Sequence, residues 1–112
     1  MNHLIIKINT MEILKKLRKK QTLTSDEVYY IVSGQYYPDI EIIEEERTGS
    51  GRWQEYWNTV FKAEDNYYCV YWSKGLTELQ EDYYDEQCAI KVKPVKKIIE
   101  ITEWELVKEE EN

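Results

Sequence analysis

The feature that most constrains the fold is a pair of aromatic-rich segments separated by a short polar turn. From Trp53 to Lys62 the residues alternate, with Trp53, Glu55, Trp57, Thr59 and Phe61 on one side and Gln54, Tyr56, Asn58, Val60 and Lys62 on the other. Glu64-Asp65-Asn66 is a turn, and residues 67–73 return with aromatic and β-branched types. Such alternation is typical of strands. The segment therefore predicts a β-hairpin, which Lys74-Gly75 closes.

Two short helical patterns precede the hairpin. Between Met11 and Lys20, apolar residues fall on one stripe and lysines on the other. A second helix is predicted to begin after Thr24, because Glu27 three residues later completes a capping-box pattern, and to end at Gly34. Since few residues separate the two helices, we expect a helical hairpin.

The order of these patterns predicts the fold class. After Pro38, isoleucines begin a strand that continues into residues 44–46, and a final strand is predicted over about residues 96–107. Residues 76–90 are interpreted as an acidic loop with one helical turn around residues 77–81. Helices followed by strands predict an α+β fold, with an N-terminal helical hairpin packed on a mainly antiparallel sheet of three to five strands.

The length of the chain, 112 residues, predicts a single domain over residues 1–112. Residues 1–10 are interpreted as either a flexible leader or a short strand, with Met11 as an alternative start, and residues 108–112 as a frayed tail. The apolar run Leu4-Ile5-Ile6 is too short for a membrane span or a signal peptide. We therefore expect a cytoplasmic protein with no membrane partner.

No residue pattern indicates catalysis, a metal site or a cofactor. Cys69 and Cys88 lack Cys-x-x-Cys spacing and a nearby histidine, and we expect two free thiols, with one disulfide as the alternative. The one histidine, His3, lies in the leader segment. Glu55 and Glu100 are the acids most compatible with a sheet face, but a chain of this size leaves little room for a substrate cleft. We expect a non-enzyme with no catalytic residues, no metal and no cofactor.

Charge is unevenly distributed along the chain. The first twenty residues hold six basic side chains and one acid, a balance of +5; since the chain totals −7, the rest carries −12. A body with this charge repels nucleic-acid phosphates and attracts basic surfaces, which are most common on nucleic-acid-binding proteins. The alternative is that the acidity only keeps a small domain soluble.

An acidic group between residues 78 and 86 is the predicted partner-binding surface. Its members are Glu78, Glu81, Asp82, Asp85 and Glu86, with Tyr83 and Tyr84 between them. Surface carboxylates occupy the positions that a partner reserves for phosphates, and tyrosines offer rigid contact area as anchors. Residues 44–46, three consecutive glutamates, extend the surface. The alternative is a solvated loop whose tyrosines pack back onto the sheet.

The basic end of the first helix suggests a different function, a DNA-binding helix-turn-helix. Its cationic residues are Lys15, Lys16, Arg18, Lys19 and Lys20. The second helix would have to enter the groove, yet it starts with Asp26 and Glu27 and has no Arg or Lys before Gly34. The pattern therefore favours a solvated helix face or an internal partner for the acidic sheet.

Several short motifs between Arg52 and Trp104 carry a resemblance. They are Trp53-Gln54-Glu55, Tyr71-Trp72-Ser73-Lys74-Gly75-Leu76-Thr77-Glu78, Gln80-Glu81 and Tyr84-Asp85-Glu86-Gln87. This stretch, about half the chain, resembles a group of small, mostly uncharacterised proteins of phages and prophages in low-GC Gram-positive bacteria. The resemblance implies a protein that acts by binding host proteins, of the anti-CRISPR or anti-restriction inhibitor type, which imitates DNA with surface carboxylates.

Together, these patterns predict a non-enzymatic, acidic, phage-like protein that binds and inhibits a nucleic-acid-handling host protein as a DNA mimic. The expected partner is a basic nucleic-acid-binding host protein, for example a defence nuclease, and no direct binding to nucleic acid is expected. One alternative is a structural or accessory phage protein that self-associates through its sheet, which leaves a homodimer open. The other is a small DNA-binding regulator.

Overall fold

Two helices and a four-stranded antiparallel sheet make up the fold of residues 10–34 and 39–109, which are the residues that the computed structural model describes. The elements are α1 (Thr10–Lys19), α2 (Ser25–Val32), β1 (Ile40–Ser50), β2 (Gln54–Ala63), β3 (Asn66–Gly75) and β4 (Ile90–Val92). The strand order in the sheet is β1-β2-β3-β4. The predicted α+β fold, with helices at the N-terminus and a sheet of three to five antiparallel strands, is confirmed.

The two helices are tied together at the start of α2. The predicted capping box is present: Thr24 Oγ1 accepts a hydrogen bond from Glu27 N at 3.2 Å, and Thr24 N donates to Glu27 Oε1 at 2.8 Å. Lys16 Nζ, from α1, lies 2.6 Å from the same carboxylate oxygen. Because Glu27 is buried, its carboxylate is shielded from water. The Lys16 ammonium compensates its negative charge instead. The first helix is thus held against the cap of the second.

The predicted hairpin is confirmed as strands β2 and β3. Their register pairs Ala63 with Asn66, which leaves Glu64 and Asp65 as a two-residue turn. Both turn residues have positive φ, 51° and 64°. A two-residue turn of this hand matches the natural twist of antiparallel strands. The hairpin geometry therefore holds Glu64 and Asp65 in the left-handed backbone conformation, which non-glycine residues rarely adopt.

The hydrophobic core lies between the helices and one face of the sheet. Its buried members are Ile13, Leu14, Leu17, Leu23, Val28, Ile31, Val32, Ile40, Phe61, Ala63, Tyr68 and Val70. The register places Thr59 beside Phe61 on this face, and Trp72 Nε1 donates to the buried Thr59 Oγ1 at 3.0 Å. The opposite face of the sheet carries half-exposed tyrosines, Tyr56 and Tyr71. The two faces therefore have different surroundings, and only one is covered by the helices.

The end of the chain differs from the sequence prediction. The expected strand over residues 96–107 does not form, and the last strand is instead the short β4, which pairs with Tyr67–Cys69 of β3. Residues 93–109 form neither helix nor strand and are exposed throughout. A strand-like sequence forms a strand only where a neighbouring strand offers hydrogen-bond partners. No such partner lies beside this segment among the described residues.

Some predictions concern the chain ends and membrane insertion. Of the predicted leader, residues 1–9 lie outside the described residues. Of the predicted tail, Lys108 and Glu109 are exposed and without regular structure, and residues 110–112 lie outside the described part of the chain. Among residues 10–34 and 39–109, none of the helices has the length and apolarity that a membrane crossing requires.

Candidate protein-binding surface

The predicted binding residues lie on one segment, residues 78–86, which we call the acidic ribbon. It belongs to the connection between β3 and β4 and is fastened where β3 ends. Gly75 N donates to Asp82 Oδ1 at 2.9 Å, and Leu76 N donates to Trp53 O at 3.0 Å. The backbone of Gln80 approaches so closely that a Cβ on Gly75 would lie 2.2 Å from Gln80 O. A side chain at position 75, just before the ribbon, would therefore force this turn to move.

The middle of the ribbon runs beside β3. Ser73 N donates to Tyr83 O at 3.0 Å, and Tyr83 N donates to Ser73 O at 2.9 Å. Gln54 Nε2, from β2, donates to Glu81 O at 3.3 Å. These bonds satisfy backbone groups at the β3 edge that would otherwise need water. The ribbon is therefore an ordered extension of the sheet edge.

Gln87 fastens the far end of the ribbon by imitating a peptide group. Its side-chain Oε1 accepts from Tyr71 N and its Nε2 donates to Tyr71 O, both at 2.7 Å. Its own backbone exchanges two hydrogen bonds with Leu23, at 2.8 and 3.2 Å. One residue thus connects β3 to the link between the two helices. Sequence reasoning missed this role, because nothing in the spacing of a single glutamine indicates it.

The ribbon acids are displayed toward solvent. Exposed positions are Glu78, Glu81, Asp82, Asp85 and Glu86. Among the described residues, the three ion pairs are Lys16–Glu27, Arg18–Glu64 and Arg47–Glu55, so none of the ribbon acids is in one. Asp82 differs from the other four because it accepts the Gly75 N–H. Four carboxylates are therefore held on an ordered backbone without an internal cation.

The two predicted tyrosine anchors have different environments. Tyr84 is half-buried; its ring stacks on Trp72 with centroids 5.5 Å apart and meets Tyr29 edge-on at 5.0 Å. Trp72 stacks in turn on Trp57 at 5.8 Å. Burial raises the pKa of the Tyr84 phenol, and the negative charge of Asp82 raises it further. Tyr84 thus attaches the ribbon to the sheet, which leaves less of its ring for a partner.

Tyr83 points to the other face of the sheet and joins two tyrosines that the sequence prediction did not include. Because it pairs with Ser73, its side chain shares the face of Tyr56, which also pairs with Ser73, and of Tyr71. All three rings are half-exposed. Together with Asp85, Tyr56 and Tyr71 line a shallow cavity of about 400 Å³. The alternation of Tyr56 and Tyr71 along their strands is the signal that could have identified them.

One of the three consecutive glutamates of β1, Glu45, acts on Tyr84 of the ribbon. Glu44, Glu45 and Glu46 are exposed, and Glu45 Oε1 accepts from Thr59 Oγ1 at 3.4 Å. The charge of Glu45 also raises the pKa of Tyr84, as that of Asp82 does. Two carboxylates from separate segments, Asp82 and Glu45, therefore act on one tyrosine. The register places Glu45 on the face of Thr59, whereas Glu44 and Glu46 lie on the opposite face of β1.

The basic end of α1 is partly engaged within the fold. Lys16 pairs with Glu27, and Arg18 Nη1 lies 2.7 Å from Glu64 Oε2 in the hairpin turn. Arg18 and Lys20, with Lys91 of β4, line a groove of about 470 Å³ that also contains Cys88. Part of the positive charge of α1 therefore points toward the sheet, as expected if the basic helix end is an internal partner for the acidic sheet.

Other candidate reactive groups are separate from one another. Cys69 is buried and Cys88 is exposed, and both are free thiols. Burial raises the pKa of the Cys69 thiol. Glu55 pairs with Arg47 at 3.3 Å, whereas Glu100 lies in the exposed segment after β4. Within residues 10–34 and 39–109, no group of three or more His, Cys, Asp or Glu side chains is placed to hold a metal ion.

Comparisons with known proteins add no relative. No protein-family model, no curated protein sequence and no solved structure matches this chain.

Proposed function

We propose that this protein is a non-catalytic, acidic binding protein that occupies the nucleic-acid-binding surface of a basic host protein and inhibits it. The observation that carries the proposal is the acidic ribbon, in which exposed carboxylates without an internal cation are held on a hydrogen-bonded backbone. A partner that binds phosphates presents Arg and Lys at fixed positions. Carboxylates held in advance at matching positions bind such a surface without first being ordered.

The ribbon surface combines charge with contact area. The exposed acids of the ribbon supply negative charge, and the charges of Asp82 and Glu45 both act on Tyr84. Tyr83, Tyr56 and Tyr71 supply half-exposed rings on the neighbouring face. Tyrosines make large contacts at low cost in conformational entropy, while charges steer encounter and select the partner. This combination favours a protein partner over a purely electrostatic role in solubility.

The net charge of −7 also supports a basic protein as the partner. It disfavours binding to DNA or RNA and favours basic proteins. The resemblance of residues 52–104 to small phage and prophage proteins adds a biological context, in which the partner is a host defence protein such as a nuclease and the site of action is the host cytoplasm. In this proposal the protein acts as a DNA mimic of the anti-CRISPR or anti-restriction type.

The test is capture of host proteins by the immobilised chain, with duplex DNA as competitor. The proposal expects retention of a nucleic-acid-binding protein, with release as the salt concentration rises and as duplex DNA is added. The test variant combines Glu78→Gln, Glu81→Gln, Asp85→Asn and Glu86→Gln. It keeps Asp82 and Tyr84, because both hold the ribbon in place.

A matched control removes the same number of charges elsewhere. It combines Glu12→Gln, Asp26→Asn, Asp39→Asn and Asp65→Asn, all at exposed positions outside the ribbon. We expect the ribbon variant to lose affinity for the captured protein by about tenfold or more and the control to keep it. Equal capture by the two variants, or capture that duplex DNA does not reduce, would overturn the proposal.

A further inference from the structure

Residues 93–109, which we call the arm, expose an unusual amount of apolar surface. Its large apolar side chains are each at least 65% exposed: Val95, Ile98, Ile99, Ile101, Trp104, Leu106 and Val107. Single exposed apolar residues are normal on a protein surface, but a continuous series of this size marks an interaction site. The arm is therefore a candidate interaction surface.

The dimensions of the molecule show that the arm is not packed on its own domain. The radius of gyration is 20.5 Å and the longest dimension 84 Å, whereas a compact chain of this length has a radius of gyration of about 13 Å. The arm directly follows β4, the edge strand of the sheet. Its sequence is strand-like, yet the described residues offer it no neighbouring strand. A strand from a second chain would supply hydrogen-bond partners for the backbone of the arm.

The order of charges along the arm indicates which chain this is. The basic residues Lys93, Lys96 and Lys97 come first, and the acids Glu100, Glu103, Glu105 and Glu109 follow, with only Lys108 among them. Two copies placed antiparallel bring the basic part of one against the acidic part of the other. Two copies placed parallel bring like charges together. The arm is thus electrostatically complementary to itself in one direction.

One antiparallel register brings opposite charges together without creating any like-charged pair. With the two copies of Ile101 opposite each other, the facing pairs include Lys93–Glu109, Val95–Val107, Lys97–Glu105 and Ile98–Trp104. No like charges face each other in this register. A shift by one or two positions in either direction creates a facing pair of like charge, namely Glu100–Glu100, Lys93–Lys108, Glu100–Glu103 or Lys96–Lys108. Like charges directly opposite each other destabilise a strand pair.

We propose that the arm binds the arm of a second copy of this chain as an antiparallel strand pair centred on Ile101. The arrangement is a two-fold symmetric homodimer, in which every pair except the central one occurs twice. A two-stranded ribbon in water is marginally stable by itself. The dimer is accordingly reversible, and its population rises with protein concentration.

Charge reversal within one facing pair tests the register. Lys97→Glu and Glu105→Lys each create two like-charged pairs, and each weakens dimerisation by about tenfold. Combining both substitutions in one chain restores the opposite charges and returns the dissociation constant to near the wild-type value. Lys96→Glu is the matched control, because Lys96 faces Leu106 and not a charge. Sedimentation equilibrium over a range of protein concentrations measures all four variants.

A cross-link tests the position of the two-fold axis. In a background carrying Cys88→Ser, oxidation of the Ile101→Cys variant links two copies, whereas the Glu103→Cys variant, which faces Ile99, links poorly. The buried Cys69 is left unchanged. A wild-type chain that stays monomeric at all concentrations overturns the proposal. So does a double charge reversal that fails to restore the dimer, or equal cross-linking at positions 101 and 103.

Discussion

The acidic ribbon and the arm are both segments without helix or strand, yet they have opposite relations to the rest of the molecule. The ribbon is bonded to β3 through Tyr83 and is fixed at its far end by the side chain of Gln87. The arm keeps residues such as Ile98 and Leu106 fully exposed. From the sequence one would expect the arm to pair with the sheet and the ribbon to be a free loop, because the arm has a strand pattern and the ribbon lacks one.

This difference shows that order depends on available hydrogen-bond partners more than on strand propensity. The ribbon lies against a sheet edge whose N–H and C=O groups need partners, and side chains such as Asp82 and Gln87 supply what the backbone does not. The arm has suitable residue types but no edge to join. Fixing backbone costs roughly 1–2 kcal/mol per residue in conformational entropy, which only such bonds and burial offset.

The largest effect is expected from shortening a leucine at the base of the ribbon. Leu23 is fully buried and bonded to Gln87 through its backbone, so Leu23→Ala leaves a cavity and lowers the free energy of unfolding by about 2–5 kcal/mol. Leu106→Ala, in the arm, changes it by less than about 0.5 kcal/mol. Urea denaturation at low protein concentration compares the two. Similar losses in both variants would contradict the contrast between the segments.

A smaller loss is expected when the ribbon loses its side-chain anchor. Gln87→Ala removes both hydrogen bonds to the Tyr71 backbone and lowers the free energy of unfolding by about 1–3 kcal/mol. Gln21→Ala, at an exposed position in the helix link, serves as the control. Hydrogen exchange of the Tyr71 amide provides a local measurement. Unchanged protection of that amide in Gln87→Ala would show that the anchor is unimportant.

Substitution of Gly75 tests the other end of the ribbon. Gly75→Ala places a methyl group against the backbone carbonyl of Gln80, so the turn must move, at a cost of about 1–3 kcal/mol. Gly49→Ala is the matched control, because nothing lies within 4 Å of its added methyl group. Thermal unfolding of both variants compares their stabilities. A Gly75→Ala protein as stable as the control would mean that the ribbon is not held closely there.

The smallest effect concerns pH and the Tyr84 ring. Its pKa is raised in the folded state, so between about pH 10 and that higher pKa the unfolded chain loses a proton that the folded chain keeps. The free energy of unfolding therefore falls as the pH rises through this range. Tyr84→Phe keeps the ring stack but removes this contribution, so the fall becomes shallower. Denaturation at several alkaline pH values measures it, and an unchanged slope would contradict the assigned environment.

Local patterns explain why much of the fold was predictable. The capping box at Thr24 and the hairpin of β2 and β3 depend on residues near one another in sequence, and both are present as expected. The length of β4 was not predictable, because three residues are too few to show alternation. The arm was assigned to a strand because its pattern reports strand propensity, while the partner that a strand requires is not encoded in that pattern.

The candidate surface was predictable in composition but not in orientation. The ribbon acids could be named from their density in the sequence. Which of Tyr83 and Tyr84 faces solvent depends on the register against Ser73, and that register is set by long-range bonds. The contribution of Tyr56 and Tyr71 depends on the same alignment. Residue types therefore indicated the chemistry of the surface, whereas the sheet determines its geometry.

The fastening of the ribbon at Gly75 and Gln87 has a consequence for how its specificity can be altered. Structural demands fall on the two ends and on Asp82 and Tyr84, whereas the side chains of Glu78, Glu81, Asp85 and Glu86 form no hydrogen bond or ion pair with another described residue. We expect libraries randomised at these four positions to keep the fold. If the ribbon acts as proposed, the sheet edge is a scaffold that carries an exchangeable set of recognition residues, and selection at those positions would change which basic protein it binds.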